Sequence, residues 1–278
     1  MVDYQEGVGR PGETGNMLRA MHTAATGMEA QAMNIDTIAH NLANINTTGF
    51  KARRAQFHDL VYQNMRQAGV SNTATTEIPV ALQIGLGTRP VATATNFHQG
   101  DFVMTDNALD VVIRGQGFFQ IRLTDGEIAY TRNGSFHLNS EGSVVTSEGD
   151  LLDPQISIPE DQTGIFIGAD GIVSVTTPGQ STPQQVGQIQ IATFQNPGGL
   201  ESVGDSLMRQ TQASGEPIIG TPGENGLGSL LSGYIEQSNV SVVEEMVAMI
   251  VSQRAYEANS KVIRTADEMF SIGTNIVR

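Results

Sequence analysis

The chain has 278 residues, enough to bury a real core and to divide into more than one domain. Its formal net charge of -14 comes without any run of Lys and Arg to neutralise phosphates or anionic headgroups, so nucleic-acid and lipid-surface binding are set aside. It has no Cys, which removes disulfides, thiolate catalysis and zinc–thiolate centres, and no stretch approaches the roughly 20 apolar residues that span a bilayer.

Residues 1–16 are polar, Gly-rich and without periodicity, and are expected to be a disordered leader or an extension upstream of a natural start at Met17. Small and apolar residues then recur at Leu18, Met21, Ala25, Met28, Ala32, Ile35, Ala39 and Leu42, in steps of three and four. That is the spacing of a coiled-coil seam, and it predicts a helix over about residues 17–43. Asn44, Asn46, Thr47, Thr48 and Gly49 form the stop and turn. Ala at alternate seam positions lets a partner approach closely but buries little area, so the helix is marginal alone and needs a partner.

Residues 50–65 form a shorter segment whose apolar side is Phe50, Phe57, Leu60, Val61 and Tyr62, and residues 67–87 are expected to be extended or looped. Strand-like runs follow at 89–95, 109–113, 117–123, 128–132, 165–167, 172–176 and 186–194. Asp125-Gly126 between two of them is a hairpin signal, and Asn133-Gly134, Glu141-Gly142, Glu148-Gly149, Asp170-Gly171 and Pro178-Gly179 repeat the punctuation. Short strands with frequent Gly turns predict an antiparallel β region, which residues 215–228 bring to a close.

The last helical pattern starts near residues 238–241, where Ser241 and Glu244 have capping-box spacing. One line along it is Val243, Val247, Val251, Ala255, Ala258, Val262, Ala266 and Met269; a second is Val242, Met246, Met249, Tyr256, Ile263 and Phe270. One seam would satisfy a hairpin with the first helix, and two imply neighbours on both sides. The expected fold is α+β, with N- and C-terminal α-helices pairing as a coiled-coil-like layer around a central antiparallel all-β region.

No catalytic constellation stands. His22, His40, His58, His98 and His137 are scattered, and none makes a metal-ligand pair with a carboxylate. The acid pairs Asp125 with Glu127 and Asp101 with Asp106 lie beside turns, where turn chemistry accounts for them as well as a glycosidase reading does. The sequons at Asn133 and Asn239 read as chance matches. No catalytic residue, cofactor or metal is expected.

The run Ile38-Ala39-His40-Asn41-Leu42-Ala43-Asn44-Ile45-Asn46-Thr47-Thr48-Gly49-Phe50-Lys51 resembles the signature of the bacterial flagellar axial proteins, the rod, hook and hook-associated family. Its motif residues here are Asn41, Leu42, Ala43, Asn44, Thr48, Gly49, Phe50 and Lys51. Residues 233–240 with 253–261 resemble that family's closing helix, and residues 115–119 with 130–136 its β domain. The length from Met17 and residues 62–67 with 82–89 fit a subunit of the distal part of the rod. A proximal rod or hook subunit is the alternative within the family, and a carbohydrate-active β protein acting on peptidoglycan the alternative outside it.

The resemblance implies a non-enzymatic structural subunit that self-assembles into a hollow tubular drive shaft carrying torque from motor to hook. It implies a terminal helical layer from residues 17–47 with 239–278, a connecting domain from 48–98 with 215–238, and an outer β domain from 99–214. The implied partners are further copies of the chain, proximal rod proteins and hook protein. P- and L-ring proteins would serve as a bushing where an outer membrane exists. The implied location is the flagellum basal body, in a rod spanning the periplasm, reached through the flagellar type III export apparatus without a cleaved signal peptide. Neither nucleic-acid binding nor membrane insertion is implied.

Overall fold

The computed structural model describes residues 11–66, 71–73, 76–77, 80–179 and 182–276. The chain clusters into two compact units: Met1–His40 with Arg53–Ala94 and Val242–Arg278, and Asn41–Ala52 with Thr95–Ser241. The residues expected to form a connecting layer are therefore shared, 53–94 clustering with the helices and 215–238 with the β region.

The first unit is built on two long helices, α1 (Pro11–Ala43) and α2 (Val242–Ile276). α1 is described from Pro11, six residues before the expected Met17. Residues 1–10, the rest of the expected leader, lie outside the described residues. The helices run antiparallel. Asn34 Nδ2 donates to Ser252 Oγ at 2.8 Å, and a Cβ on Gly27 would fall 2.8 Å from Asn259 Nδ2. The buried and half-buried line running through these contacts is Ala24, Gly27, Gln31, Asn34 and Ile38 on α1, and Ala248, Ser252, Ala255, Asn259 and Ala266 on α2. Small side chains let the axes come close, and a hydrogen bond replaces much of the apolar area a Leu seam would bury.

In the same unit β1 (Arg53–Asp59) pairs with β6 (Thr88–Thr95), and the ribbon β2 (Tyr62–Arg66) with β5 (Leu82–Gly85) is antiparallel. The strands β3 (Ser71–Thr73) and β4 (Thr76–Glu77) pair between them. The 50–65 segment is thus two strands, each with one aromatic side chain, Phe57 and Tyr62. This region lies on α1: Arg19 Nη1 donates to Gln63 Oε1 at 2.6 Å, and Gly87 (φ +119°) comes within reach of Thr23 and Thr26 where a Cβ would not fit.

The second unit holds β7 (Phe102–Met104), β8 (Val111–Arg114), β9 (Phe118–Arg122), β10 (Ile128–Thr131), β11 (His137–Leu138), β12 (Val144–Val145), β13 (Leu151–Asp153) and β14 (Gly164–Ile167). It continues with β15 (Ile172–Thr176), β16 (Gln184–Gln188), β17 (Ile191–Thr193), β18 (Glu201–Gly204), β19 (Leu207–Arg209), β20 (Ile218–Gly220), β21 (Ser229–Ser232) and β22 (Tyr234–Glu236). All the registered pairs are antiparallel, and β9 sits at the centre between β10 on one side and β13 with β17 on the other. Its alternation feeds two cores. Phe119 and Ile121 join Val111, Ile113, Phe136, Leu152, Val173 and Ile189, while Phe118 joins Tyr130, Ala192, Phe194 and Met208. The strand is buried on both faces from Phe118 to Ile121, the polar Gln120 included, and only Arg122 at its end is exposed. The hairpin at Asp125-Gly126 forms as expected, with Gly126 at φ +82°. The run 186–194 splits into β16 and β17.

Candidate functional site

The motif after α1 folds into a turn that belongs to the second unit. α1 stops at Ala43, and the chain then closes through Thr47 N to Asn44 O (3.2 Å) and Phe50 N to Thr47 O (3.3 Å). Gly49 sits at φ +69°, where an L side chain is strained, and its missing Cβ leaves room for the Arg132–Asn133 backbone. Thr48 Oγ1 donates to Asn133 Oδ1 at 3.0 Å, and Gly49 N donates to Glu236 O at 2.8 Å.

The turn delivers Lys51 to a buried ionic cluster. Lys51 Nζ donates to Glu236 Oε1 at 2.6 Å and to His98 O at 2.8 Å. Arg132 Nε donates to Glu236 Oε2 at 3.1 Å, and its Nη1 reaches Gly117 O at 2.7 Å and Gly115 O at 2.9 Å. Gly100 N completes the carboxylate at 2.9 Å. All three charged residues are buried. Burial pushes the Lys51 amine below its ordinary value while Glu236 opposes the shift, and burial lowers Arg132 against the same opposition. Glu236 reaches this position because β22 pairs with β7, Glu236 opposite Phe102. The cluster therefore joins three stretches far apart in sequence.

Asn239 is a second tie. Its Oδ1 accepts from Ala52 N at 2.7 Å, and its Nδ2 donates to Asn96 O and His98 O, both at 2.9 Å. Asn239→Ala leaves three backbone groups without that partner and is expected to destabilise the second unit by about 1–3 kcal/mol, read as a lower urea midpoint at unchanged slope.

The open surface lies on α2. Val243, Met246, Val247, Ile250 and Val251 are all more than half exposed and follow one another along its outward side. Beyond them the same side turns charged, through Arg254, Glu257, Lys261, Arg264 and Glu268. Of the expected seam on α2, Val243, Val247, Val251, Ala258, Val262 and Met269 are exposed, Ala255 is half-buried and Ala266 is buried. In the second line Val242, Met246 and Tyr256 are exposed, with Met249, Ile263 and Phe270 half-buried. On α1, Leu18, Ala25, Ala32 and Ala39 are exposed, and Met21, Met28, Ile35 and Leu42 are half-buried. The expected α1 line is thus rotated away from the face the helices share, while the expected α2 line meets that face at Ala255 and Ala266 and otherwise points outward. On α1 the offset is a single residue, Ala24 for Ala25 and Ile38 for Ala39, because the contact follows small size and hydrogen bonding rather than apolarity.

The turn carboxylates are structural. Glu127 pairs with Arg209 at 2.8 Å, and Asp125 lies exposed in the β9–β10 hairpin turn. Among the described residues no group of His, Cys, Asp and Glu is arranged to hold a metal, and no helix is long and apolar enough to cross a membrane. Sequence reading missed Arg132, Glu236 and Asn239. A charged residue directly after the apolar pair Tyr234-Ile235, ahead of a helix, was the available signal for Glu236.

Comparison with known proteins finds three family models along the chain. Residues 21–51 match one described as flagella basal body rod protein, residues 112–175 the flagellar hook protein FlgE/F/G D1 domain, and residues 231–276 the flagellar basal body rod FlgEFG protein C-terminal region. The chain is 51% identical to the flagellar basal-body rod protein FlgG of Buchnera aphidicola subsp. Schizaphis graminum, across 91% of this chain and 97% of that one. It is 49% identical to FlgG of Borreliella burgdorferi, across 94% of this chain and 100% of that one. For FlgG of Bacillus subtilis the identity is 38%, across 94% and 100%.

Proposed function

This chain belongs to the flagellar basal-body rod and hook protein family, and from that premise we propose that it is a subunit of the distal rod, polymerising through its terminal helices into a tube that transmits torque. It is a structural protein and not an enzyme. The observation that carries the polymer reading is the outward face of α2. Five large apolar side chains in a row stay in water while the helix meets α1 through Ala, Ser and Asn. A monomer gains nothing from such a face, and a second copy gains the burial of each residue on it.

The helical layer, the connecting region and the outward β domain keep their proposed places in that tube. The proposed neighbours are further copies, proximal rod and hook proteins and the ring proteins. The proposed route is the flagellar type III export apparatus, to a rod in the periplasm. Val247→Asp with Ile250→Asp places two charges where two apolar side chains, at about 1.5–3 kcal/mol each, would be buried. Self-association of the purified full chain is expected to fall by on the order of a hundredfold or more while the β unit keeps its amide protection. Equal association by the variant and the parent in sedimentation runs would remove the α2 face from the assembly.

A further inference from the structure

The acidity of the chain is concentrated in one of its units. Residues 41–52 with 95–241 carry 17 of the 29 carboxylates and only 5 of the 15 Lys and Arg, a net charge of -12. The other residues carry 12 carboxylates and 10 cations, a net of -2. Two of the five cations in the acidic unit, Lys51 and Arg132, are buried on Glu236. Arg122 and Arg209 are paired with Asp153 and Glu127. Thirteen of its seventeen carboxylates are exposed, from Asp101 to Glu224. The exposed apolar face of α2 lies on the near-neutral unit.

We propose that this separation of charge is an electrostatic brake on self-assembly. The acidic units of two approaching copies repel one another, while their helix faces attract by a force that does not depend on charge. Repulsion of this kind is diffuse: the screening length is about 30 Å at 0.01 M salt and about 8 Å at 0.15 M, so salt shortens it from the scale of a whole unit to that of touching groups. The subunit stays monomeric at low ionic strength and assembles once counterions screen it. The inference rests on the reading of the chain as a self-assembling subunit.

The test is sedimentation and light scattering of the purified full chain from roughly 0.01 M to 0.5 M NaCl. The critical concentration for association is expected to fall at least tenfold over that range. A variant with Glu141→Gln, Glu148→Gln, Glu160→Gln, Asp161→Asn and Glu201→Gln, all at exposed positions, removes five charges. It is expected to associate at low salt and to lose most of the salt dependence. Gln184→Glu with Gln185→Glu, also exposed, adds two charges and is expected to shift the curve the opposite way, which guards against a folding defect in the first variant. MgCl2 at matched ionic strength is expected to act like NaCl. Association independent of salt, or charge variants that track the parent, would overturn the brake and leave assembly intact, as would Mg2+ acting well below the ionic strength NaCl requires. No association under any condition, with Val247→Asp and Ile250→Asp indistinguishable from the parent, overturns the assembly reading itself.

Discussion

Glu236→Gln is expected to destabilise the second unit by about 3–5 kcal/mol, the usual cost of leaving a buried charge without its partner. The carboxylate accepts from Lys51, Arg132 and Gly100, and an amide returns only one neutral oxygen to two buried cations. Removing all three charges together, as Lys51→Met, Arg132→Met and Glu236→Leu, is expected to recover much of the loss, because an apolar cluster of similar volume has no desolvation penalty. Hydrogen exchange of the β9 and β15 amides reads both results, and a triple variant no better than the single one would mean that the cluster's shape, not its charge, holds the unit.

The same cluster sets an alkaline signature. Lys51 has a folded pKa below its ordinary 10.5, so between those two values the unfolded chain binds a proton that the folded chain does not. Stability then rises with pH across that window, as the cost of a buried ammonium is relieved. Glu236 is what holds the folded value up, so Glu236→Gln lowers it and opens the window at lower pH. The gap in urea midpoint between parent and variant is expected to narrow from pH 7 to pH 10. A gap that stays constant would show that Lys51 is not the source of the penalty.

Gly49→Ala is expected to cost about 2–4 kcal/mol, more than its conformation alone explains. A φ of +69° costs an L residue roughly 1–2 kcal/mol. In addition the new Cβ would stand 2.6 Å from Asn133 N, which donates to Thr131 Oγ1, while the Gly49 N–H is held by the Glu236 carbonyl, so neither side is free to move apart. Gly126→Ala separates the two effects. It has φ +82° with nothing near its missing Cβ, and it is expected to lose only the conformational part. Equal losses at the two glycines, measured by urea denaturation, would mean that the motif turn can shift to make room.

Elements with strong local signals were legible in the sequence. Both helices, the β9–β10 hairpin and strands such as 172–176 follow from period, turn residues and β-branched runs. The helix interface was not, because pattern reading ranks side chains by apolarity, whereas Gly27, Asn34, Ser252 and Asn259 meet through close approach and a hydrogen bond. The unequal steps of both apolar lines were visible, but a sequence cannot say which of two adjacent lines a helix turns inward. The buried cluster was half legible. The motif marked Lys51 by resemblance, but nothing local ties a lysine at 51 to a glutamate at 236, since only the pairing of β22 with β7 brings them together.

Lys51 and Lys261 are the only lysines in the chain, and one is buried while the other is exposed on α2. Amine-directed reagents therefore find a reference and a sensor in the same molecule. Labelling at Lys261 reports reagent and time, and labelling at Lys51 reports how often the ionic cluster opens. The ratio of two tryptic peptides then gives the opening free energy of the cluster in the free subunit without any engineered probe.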